Sequence, residues 1–410
     1  MDDQTPPGRV AAPHRPSTFR QVFAVSEFRA LWTAQVLSVV GDQLARVALT
    51  LLVFQRTGSA LLAAITFAVS IVPAFIGGLT LSGLADRLPR RQVMIVSDLS
   101  RAVLVAVMAI PGMPVFVMIC IFGVVTLIGA PFSAARAALY PDILTGDLYV
   151  LGTAVTLTTL QFAQVIGFAA GGAIVEFFGV RTSLLVDSAT FLVSALITRV
   201  LVRARPTART APRVRSLSLE DFSAGIRLVF GNPALRTPML LGWLVAFYDI
   251  PEGVVAPLSR SLGGGDLAAG LILAAAALGA SLGAVAFSRL VSPERRLRWM
   301  TRIAPLAPGA LVLFAFRPAL PAALAILTVS GIFDCYQVAA NATFVQATPP
   351  SRRSQAFGIV QGGMSLGQGT AMILAGAAAE WFAPGLVIAA GGAIGAIAAV
   401  VVALTRPRAG

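Results

Sequence analysis

Four acidic side chains, Asp42, Asp249, Glu252 and Asp334, fall inside apolar stretches where a charge is costly. An aspartate near the centre of a membrane helix costs about 2.5–3.5 kcal/mol on insertion scales, so such residues mark ion or substrate paths. In Tyr248-Asp249-Ile250-Pro251-Glu252 two carboxylates lie close to one turn apart, beside a proline that breaks the helix and frees a backbone carbonyl. Two desolvated carboxylates this close can hold a proton between them, the chemistry of a proton carrier or a cation site. Asp334, beside Tyr336 and Gln337, offers the same chemistry. Asp42 and Arg46 are spaced i, i+4 on a face shared with Trp32 and Gln35, so they are expected to pair, as a structural or gating contact.

Other chemistries find no residues to run them. The single histidine, His14, sits in a proline-rich tail, and the two cysteines, Cys120 and Cys335, lie apart in apolar runs. No metal site, disulfide framework or poised nucleophile is expected from them, so neither an enzyme nor a cofactor is. No phosphate-binding G-x-x-x-x-G-K-[ST] loop occurs, which leaves nucleotide hydrolysis without machinery. The formal charge of +13 suggests nucleic acid until the 31 basic residues, all arginine, are located. They cluster between apolar runs as the positive-inside rule requires, and no nucleic-acid partner is expected.

These groups must be positioned by membrane helices. Of 410 residues, 57% are hydrophobic and 12% charged, about half the ~25% charged of soluble domains. Apolar runs long enough for a ~30 Å hydrocarbon core recur about twelve times. They lie at roughly 29–54, 59–82, 92–110, 114–136, 149–178, 182–202, 237–259, 267–288, 299–316, 319–343, 355–379 and 385–404. With the N-terminus in the cytoplasm, the external side carries only Arg56, Arg181, Arg260 and Arg317, so both termini are expected inside a cell (inner) membrane.

The expected fold is an all-α membrane protein of twelve transmembrane helices in two pseudo-symmetric six-helix bundles. Residues 1–27 read as a disordered cytoplasmic tail, 28–202 as the first bundle, 203–236 as an arginine- and proline-rich linker with an amphipathic helix, 237–404 as the second bundle, and 405–410 as a tail. A repeat supports the halving. A shift of 204 places Gln164 on Gln368, Gly172 on Gly376, and Glu176-Phe177-Phe178 on Glu380-Trp381-Phe382. Two similar bundles can rock about a midplane site, the arrangement of alternating access. Gln161, Gln164 and Phe168, with Gln361 and Gln368 in the equivalent span, are expected to line the cavity with uncharged groups, or else to join helices at ~0.6 kcal/mol per contact. Tyr248, Tyr336, Gln337, Trp32, Gln35 and Arg46 complete the cavity set. Such an apolar cavity with few charges suits a lipophilic molecule or weak cation, whereas a sugar phosphate would call for inward arginines. Glu176 and Glu380 read as solvated caps at the external helix ends, and Asp98 and Arg101 as structural partners of the loop described next.

The loop Ser82-Gly83-Leu84-Ala85-Asp86-Arg87-Leu88-Pro89-Arg90-Arg91 is the most specific local signal. Its arginines suit the cytoplasmic surface, while Asp86 can cap a helix N-terminus and pair with Arg90 or Arg136 as a latch. It resembles the major facilitator superfamily loop G-x-L-A-D-R-x-G-R-[KR], matched at Leu84, Ala85, Asp86, Arg87, Arg90 and Arg91, with Ser82 and Pro89 in place of the glycines. The resemblance implies an interdomain charge relay carried by Asp86, Arg87, Arg90, Arg91 and Arg136. The second copy, near Arg289 to Arg298, is degenerate. FRALWTAQVLSVVGDQL, SDLSRA, PFSAARAALYPDIL and RLVFGNPALR look like the drug and siderophore exporter subgroup, which includes macrolide efflux proteins. Gly167, Gly171 and Gly172 fit part of the antiporter pattern G-x-x-x-G-P-x-x-G-G, though small residues also serve close helix packing. The resemblance implies a monomeric, proton-coupled exporter of lipophilic small molecules. Import, lipid flipping, or a non-transporting sensor or enzyme are the alternatives.

Overall fold

The protein is described here by a computed structural model covering residues 18–81, 83–205, 219–349 and 352–405, in which every regular element is helical. The first half holds α1 (Phe19–Ala24), α2 (Ser26–Thr57), α3 (Ala60–Ala68), α4 (Val72–Thr80), α5 (Leu84–Arg87), α6 (Arg90–Met108), α7 (Val115–Ile143) and α8 (Asp147–Leu201). The second half begins with α9 (Leu219–Gly231), α10 (Pro233–Trp243), α11 (Val245–Tyr248), α12 (Ile250–Gly253) and α13 (Val255–Ser261). It continues with α14 (Gly265–Leu290), α15 (Pro293–Ile303), α16 (Leu306–Leu311), α17 (Leu320–Phe333), α18 (Tyr336–Ala347), α19 (Arg353–Ala379) and α20 (Pro384–Leu404).

Among the described residues eight helical segments are long and apolar enough to cross a membrane, nine if the bent stretch from Pro233 to Ser261 is one crossing. α8 has 55 residues and would run about 80 Å at 1.5 Å per residue, far more than one hydrocarbon core. Gly179, at φ 80 and ψ 164, breaks it where the sequence places the turn between two spans; only glycine adopts that backbone without strain. α6 falls outside the apolar set because Arg90, Arg91, Asp98 and Arg101 interrupt it. Large apolar side chains such as Phe116, Phe177 and Trp381 point outward, as a lipid-facing surface requires.

The expected tail is shorter than read from sequence. Residues 1–17 lie outside the described residues, but α1 is folded, with Val22 fully buried and Phe23 edge-on to both Phe28 and Trp32. An apolar triplet beside the first span can anchor the chain despite the prolines before it. In the linker, α9 packs on α19 with Gly225 against Ile359, while 206–218 lie outside the described residues. Glu27 of α2 ties down the linker's start, pairing with Arg205 at 2.6 Å and accepting from the Arg203 amide at 2.7 Å.

Two seams join the halves, α8 against α14 and α3 against α19. Each closes on small residues. A Cβ on Gly172 would come within 2.7 Å of the Gly270 Cα, and Gly376 faces Ala60 and Ala64. The largest buried cluster runs across the seams, placing Val47, Phe67 and Phe168 with Tyr248, Ala269 and Met372.

Candidate functional site

The stretch from α10 to α13 positions the acidic residues of the second half. Pro251 lies in the first turn of α12, the helix breaks at Asp249, and the second break, at Val254, bends Pro233–Gly253 by 51° against Val255–Ser261. The side chains around this break form two neighbouring hydrogen-bonded groups, with Glu252 in the electrostatic field of Asp249. Gln368 of α19 donates to Asp249 Oδ2 at 2.6 Å. Tyr248 donates its hydroxyl to Asp334, which lies at the junction of α17 and α18, and the Gln337 amide donates to the Tyr248 oxygen at 2.9 Å and to the Gly242 carbonyl at 3.1 Å. Tyr336 is fully buried and donates to the Leu241 carbonyl at 3.0 Å. Three of the four predicted acidic residues, with Tyr248, Tyr336, Gln337 and Gln368, are thus gathered from α11, α12, α18 and α19. Among the described residues, the side chains that hydrogen-bond Asp249 and Asp334 are neutral.

The first half differs. Asp42 pairs with Arg101 of α6, and the expected pair with Arg46 does not form. The i, i+4 spacing loses because Arg101 enters from the neighbouring helix, where it also meets Asp98 at 3.8 Å, reaches the Ser38 hydroxyl at 3.3 Å and stacks 3.9 Å from the centre of the Phe191 ring. Asp98 accepts from Ser194 at 2.5 Å. Asp187 of α8 is buried in the same electrostatic neighbourhood, with one carboxylate oxygen unpartnered. Arg101 is therefore the hub of this cluster rather than a partner of the loop. Arg46 instead stacks over Phe67 at 5.4 Å and lies within electrostatic reach of Glu252 across the seam, as well as of Asp42.

A cavity of about 470 Å³ opens between α2, α4, α6 and α7, lined by Gln35, Asp42, Arg46, Arg101 and Arg136 among apolar residues. Three guanidinium groups replace the largely uncharged lining expected from sequence. Of the expected cavity residues, Gln35 and Arg46 line it; Phe168 is fully buried in the core across the seam, and Trp32 packs on Phe23 beside α1. Gln161 and Gln361 are exposed, and Gln164 is half-buried without a hydrogen bond to its side chain among the described residues. Asp187 and Ser194 were missed; both lie in the sixth apolar run, where the same search for acidic side chains at membrane depth finds Asp187.

In the loop, Arg90 donates to Asp142 at 2.6 Å and to the Ala138 carbonyl at 2.7 Å, and Arg91 donates to the Arg199 carbonyl. Arg87 is exposed. The Asp86 side chain lies outside the described residues, although its backbone is helical in α5. Among the described residues no carboxylate pairs with Arg136; its Nε and Nη1 are buried without a partner, and its guanidinium carbon lies 5.9 Å from the Tyr140 ring centre.

The arginine-poor end of the molecule joins the halves most directly. Glu176 of α8 accepts from the Asp266 and Leu267 amides at 2.8 and 3.1 Å, capping α14 of the other half. Glu380, just past α19, accepts from the Ser59 hydroxyl at 2.7 Å and the Leu61 amide at 2.9 Å, capping α3 of the other half. Both caps were expected to be solvated ends of their own helices. Favourable N-terminal amides and the helix dipole explain their choice, and the amide and hydroxyl donors hold the Glu380 carboxyl below the usual carboxylate range. Gln55 donates to Asp266 at 2.8 Å, and Arg260 stacks over Phe54 at 4.6 Å.

Comparison with known proteins fits this architecture. The family model described as Major Facilitator Superfamily matches residues 31–327 and 252–410. Over 358 residues the chain is 27% identical to a protein named multidrug efflux pump Tap from Mycolicibacterium fortuitum, covering 83% of this chain and 86% of the relative. It is 22% identical over 241 residues to macrolide efflux protein A from Streptococcus pyogenes, covering 57% of this chain and 58% of that protein. The crystal structure of a POT family transporter superposes with a TM-score of 0.72 at 10% identity, covering 96% of this chain and 98% of that one, a likeness of fold.

Proposed function

We propose, from the premise that this chain belongs to the Major Facilitator Superfamily, that it is a proton-coupled exporter of lipophilic small molecules. It is a multi-pass membrane transporter, not an enzyme, and its relatives named as multidrug and macrolide efflux pumps supply the direction and the broad substrate class of the proposal. In this reading α8 makes two crossings, and α6 and α19 also span, which brings the count to twelve. The arginine-poor end faces outward and both termini lie in the cytoplasm of a monomer.

The observation that carries proton coupling is the network around the broken helix. Asp249 and Asp334 are held by Gln368 and Tyr248, uncharged donors that position a carboxyl without supplying a counter-charge. Such a group can gain or lose a proton without stranding a partner ion. Glu252 lies one turn away, within electrostatic reach of Arg46 in the other half, so its charge bears directly on the seam that must open and close. The substrate moves when the halves rock, and the proton state of these carboxyls biases which side is open. Asp86 and the loop arginines act in this scheme at the cytoplasmic surface as the family's relay.

The test is extrusion of lipophilic dyes and antibiotics from cells producing the protein, with and without an uncoupler. Uncoupler-sensitive extrusion by the wild type that is lost in Glu252→Gln supports the reading; extrusion indifferent to the uncoupler overturns proton coupling.

A further inference from the structure

The cavity of the first half carries an excess of positive charge that the export reading does not use. Three of its lining residues are arginines and one, Asp42, is acidic. Arg101 is met by Asp42 and by Asp98. Arg46 shares the field of Asp42 and of Glu252. Arg136 has neither: among the described residues no carboxylate pairs with it, and two of its nitrogens are buried without a hydrogen-bond partner. A buried cation left unpaired costs several kcal/mol, and buried polar groups without partners are uncommon enough to call for an explanation. A group that enters the cavity, which Arg136 helps to line, can supply the missing counter-charge. The rest of the lining mixes apolar residues, Phe122, Phe132, Ala130 and Ala134 among them, with the hydroxyls of Ser38, Ser70, Thr126 and Ser133.

Resting on the transporter reading above, we infer that this cavity binds the anionic group of an amphipathic solute, a carboxylate or phosphate ester, on Arg136 with Arg46 as the second cation, while its apolar body lies against the phenylalanines. The guanidinium offers a charge-assisted donor to a carboxylate or phosphate oxygen. The cavity volume of about 470 Å³ lies within the range of small-molecule sites. This reverses the weak-cation preference that the composition suggested.

The test uses the full-length protein in nanodiscs and reads thermal stabilisation by pyrene butyrate and by its methyl ester, which share an apolar body and differ in the charge. The acid should stabilise at about one-tenth of the ester concentration or lower, by the usual strength of a charge-assisted hydrogen bond. Arg136→Gln should erase that preference, Arg136→Lys should keep part of it, and Arg46→Gln should reduce it, so one poorly folding variant leaves the comparison readable. Stabilisation by the ester at equal or lower concentration, stabilisation by neither, or a preference intact in both glutamine variants overturns the inference. Nanodiscs of phosphatidylcholine alone and with phosphatidylglycerol separate the two sources of such an anion. Competition by phosphatidylglycerol assigns the site to a lipid headgroup; its absence assigns it to a soluble amphipath. Because binding is read without transport, a protein that extrudes dyes yet shows no acid preference loses only this inference. One that binds the acid but extrudes nothing loses only the export reading.

Discussion

Each half of the molecule buries acidic side chains between its helices, and the two halves neutralise them differently. In the first half Asp42 and Asp98 converge on Arg101, with Asp187 nearby, so the charges are fixed by a guanidinium. In the second half Asp249 and Asp334 rest on an amide and a phenol. A fixed ion pair resists change, because removing either member strands the other in low dielectric. A carboxyl on neutral donors tolerates either proton state. The difference teaches that the first half holds its acidic side chains on a guanidinium and the second on neutral donors, an arrangement that fits the proposed coupling.

The largest effects should come from breaking the fixed side. Arg101→Leu leaves Asp42 and Asp98 without their cation and should cost about 3–5 kcal/mol, the range for an orphaned buried partner. Asp334→Asn keeps an acceptor for the Tyr248 hydroxyl and should cost about 1 kcal/mol, the net worth of an ordinary hydrogen bond. Unfolding midpoints of the purified variants check this, and equal losses would erase the contrast between the halves.

Transport should show the opposite ranking. Among variants that fold, Asp249→Asn, Glu252→Gln and Asp334→Asn should lower proton-driven export by about tenfold or more while substrate exchange across the membrane persists, since exchange needs no net proton movement. Flux assays with an imposed pH gradient distinguish the two modes. Full coupled export in all three would remove the second half from the coupling assignment.

What the sequence could disclose follows the same contrast. The broken span was legible because Pro251 has a local consequence, and Tyr248, Gln337 and Gln368 were found because polar residues in an apolar run stand out wherever they are. The repeat also held meaning, since Glu176 and Glu380 play matching parts at matching helix ends. Partners were not legible. Asp42 had an arginine one turn away in Arg46 and chose Arg101, 59 residues on, and Arg90 reaches Asp142, 52 residues on. Spacing reports neighbours along one helix, whereas those contacts depend on which helices pack side by side. Phe168 was misread for a related reason: periodicity gives a face, and only the seam with α14 shows that this face is core.

The seams give an intermediate effect. Gly172→Val places a branched side chain where the Gly270 Cα lies 2.7 Å from the new Cβ, and overpacking of this kind costs typically 1–3 kcal/mol. The penalty falls only on the state in which the arginine-poor end is shut. The variant should therefore populate the opposite state, seen as increased labelling of a cysteine placed near Gly265. Unchanged labelling would mean that the seam does not separate during transport.

The smallest expected effect is a pH dependence of the same closure. The Leu61 amide and Ser59 hydroxyl hold the Glu380 carboxyl below its ordinary range, so its contribution favours the shut state. That contribution is fully present above the ordinary carboxyl value and fades as the pH on that side falls through the depressed one. Labelling at the arginine-poor end should accordingly rise at low pH in the wild type. Glu380→Gln should start from a slightly higher level and lose that part of the slope, while Glu176, capping α14 in the matching place, keeps the other seam shut. If Glu380→Gln and wild type follow one curve, the Glu380 cap decorates the surface and its seam is held by its small residues alone. If the slope disappears with Glu380, protonation of its carboxyl loosens the seam that it caps.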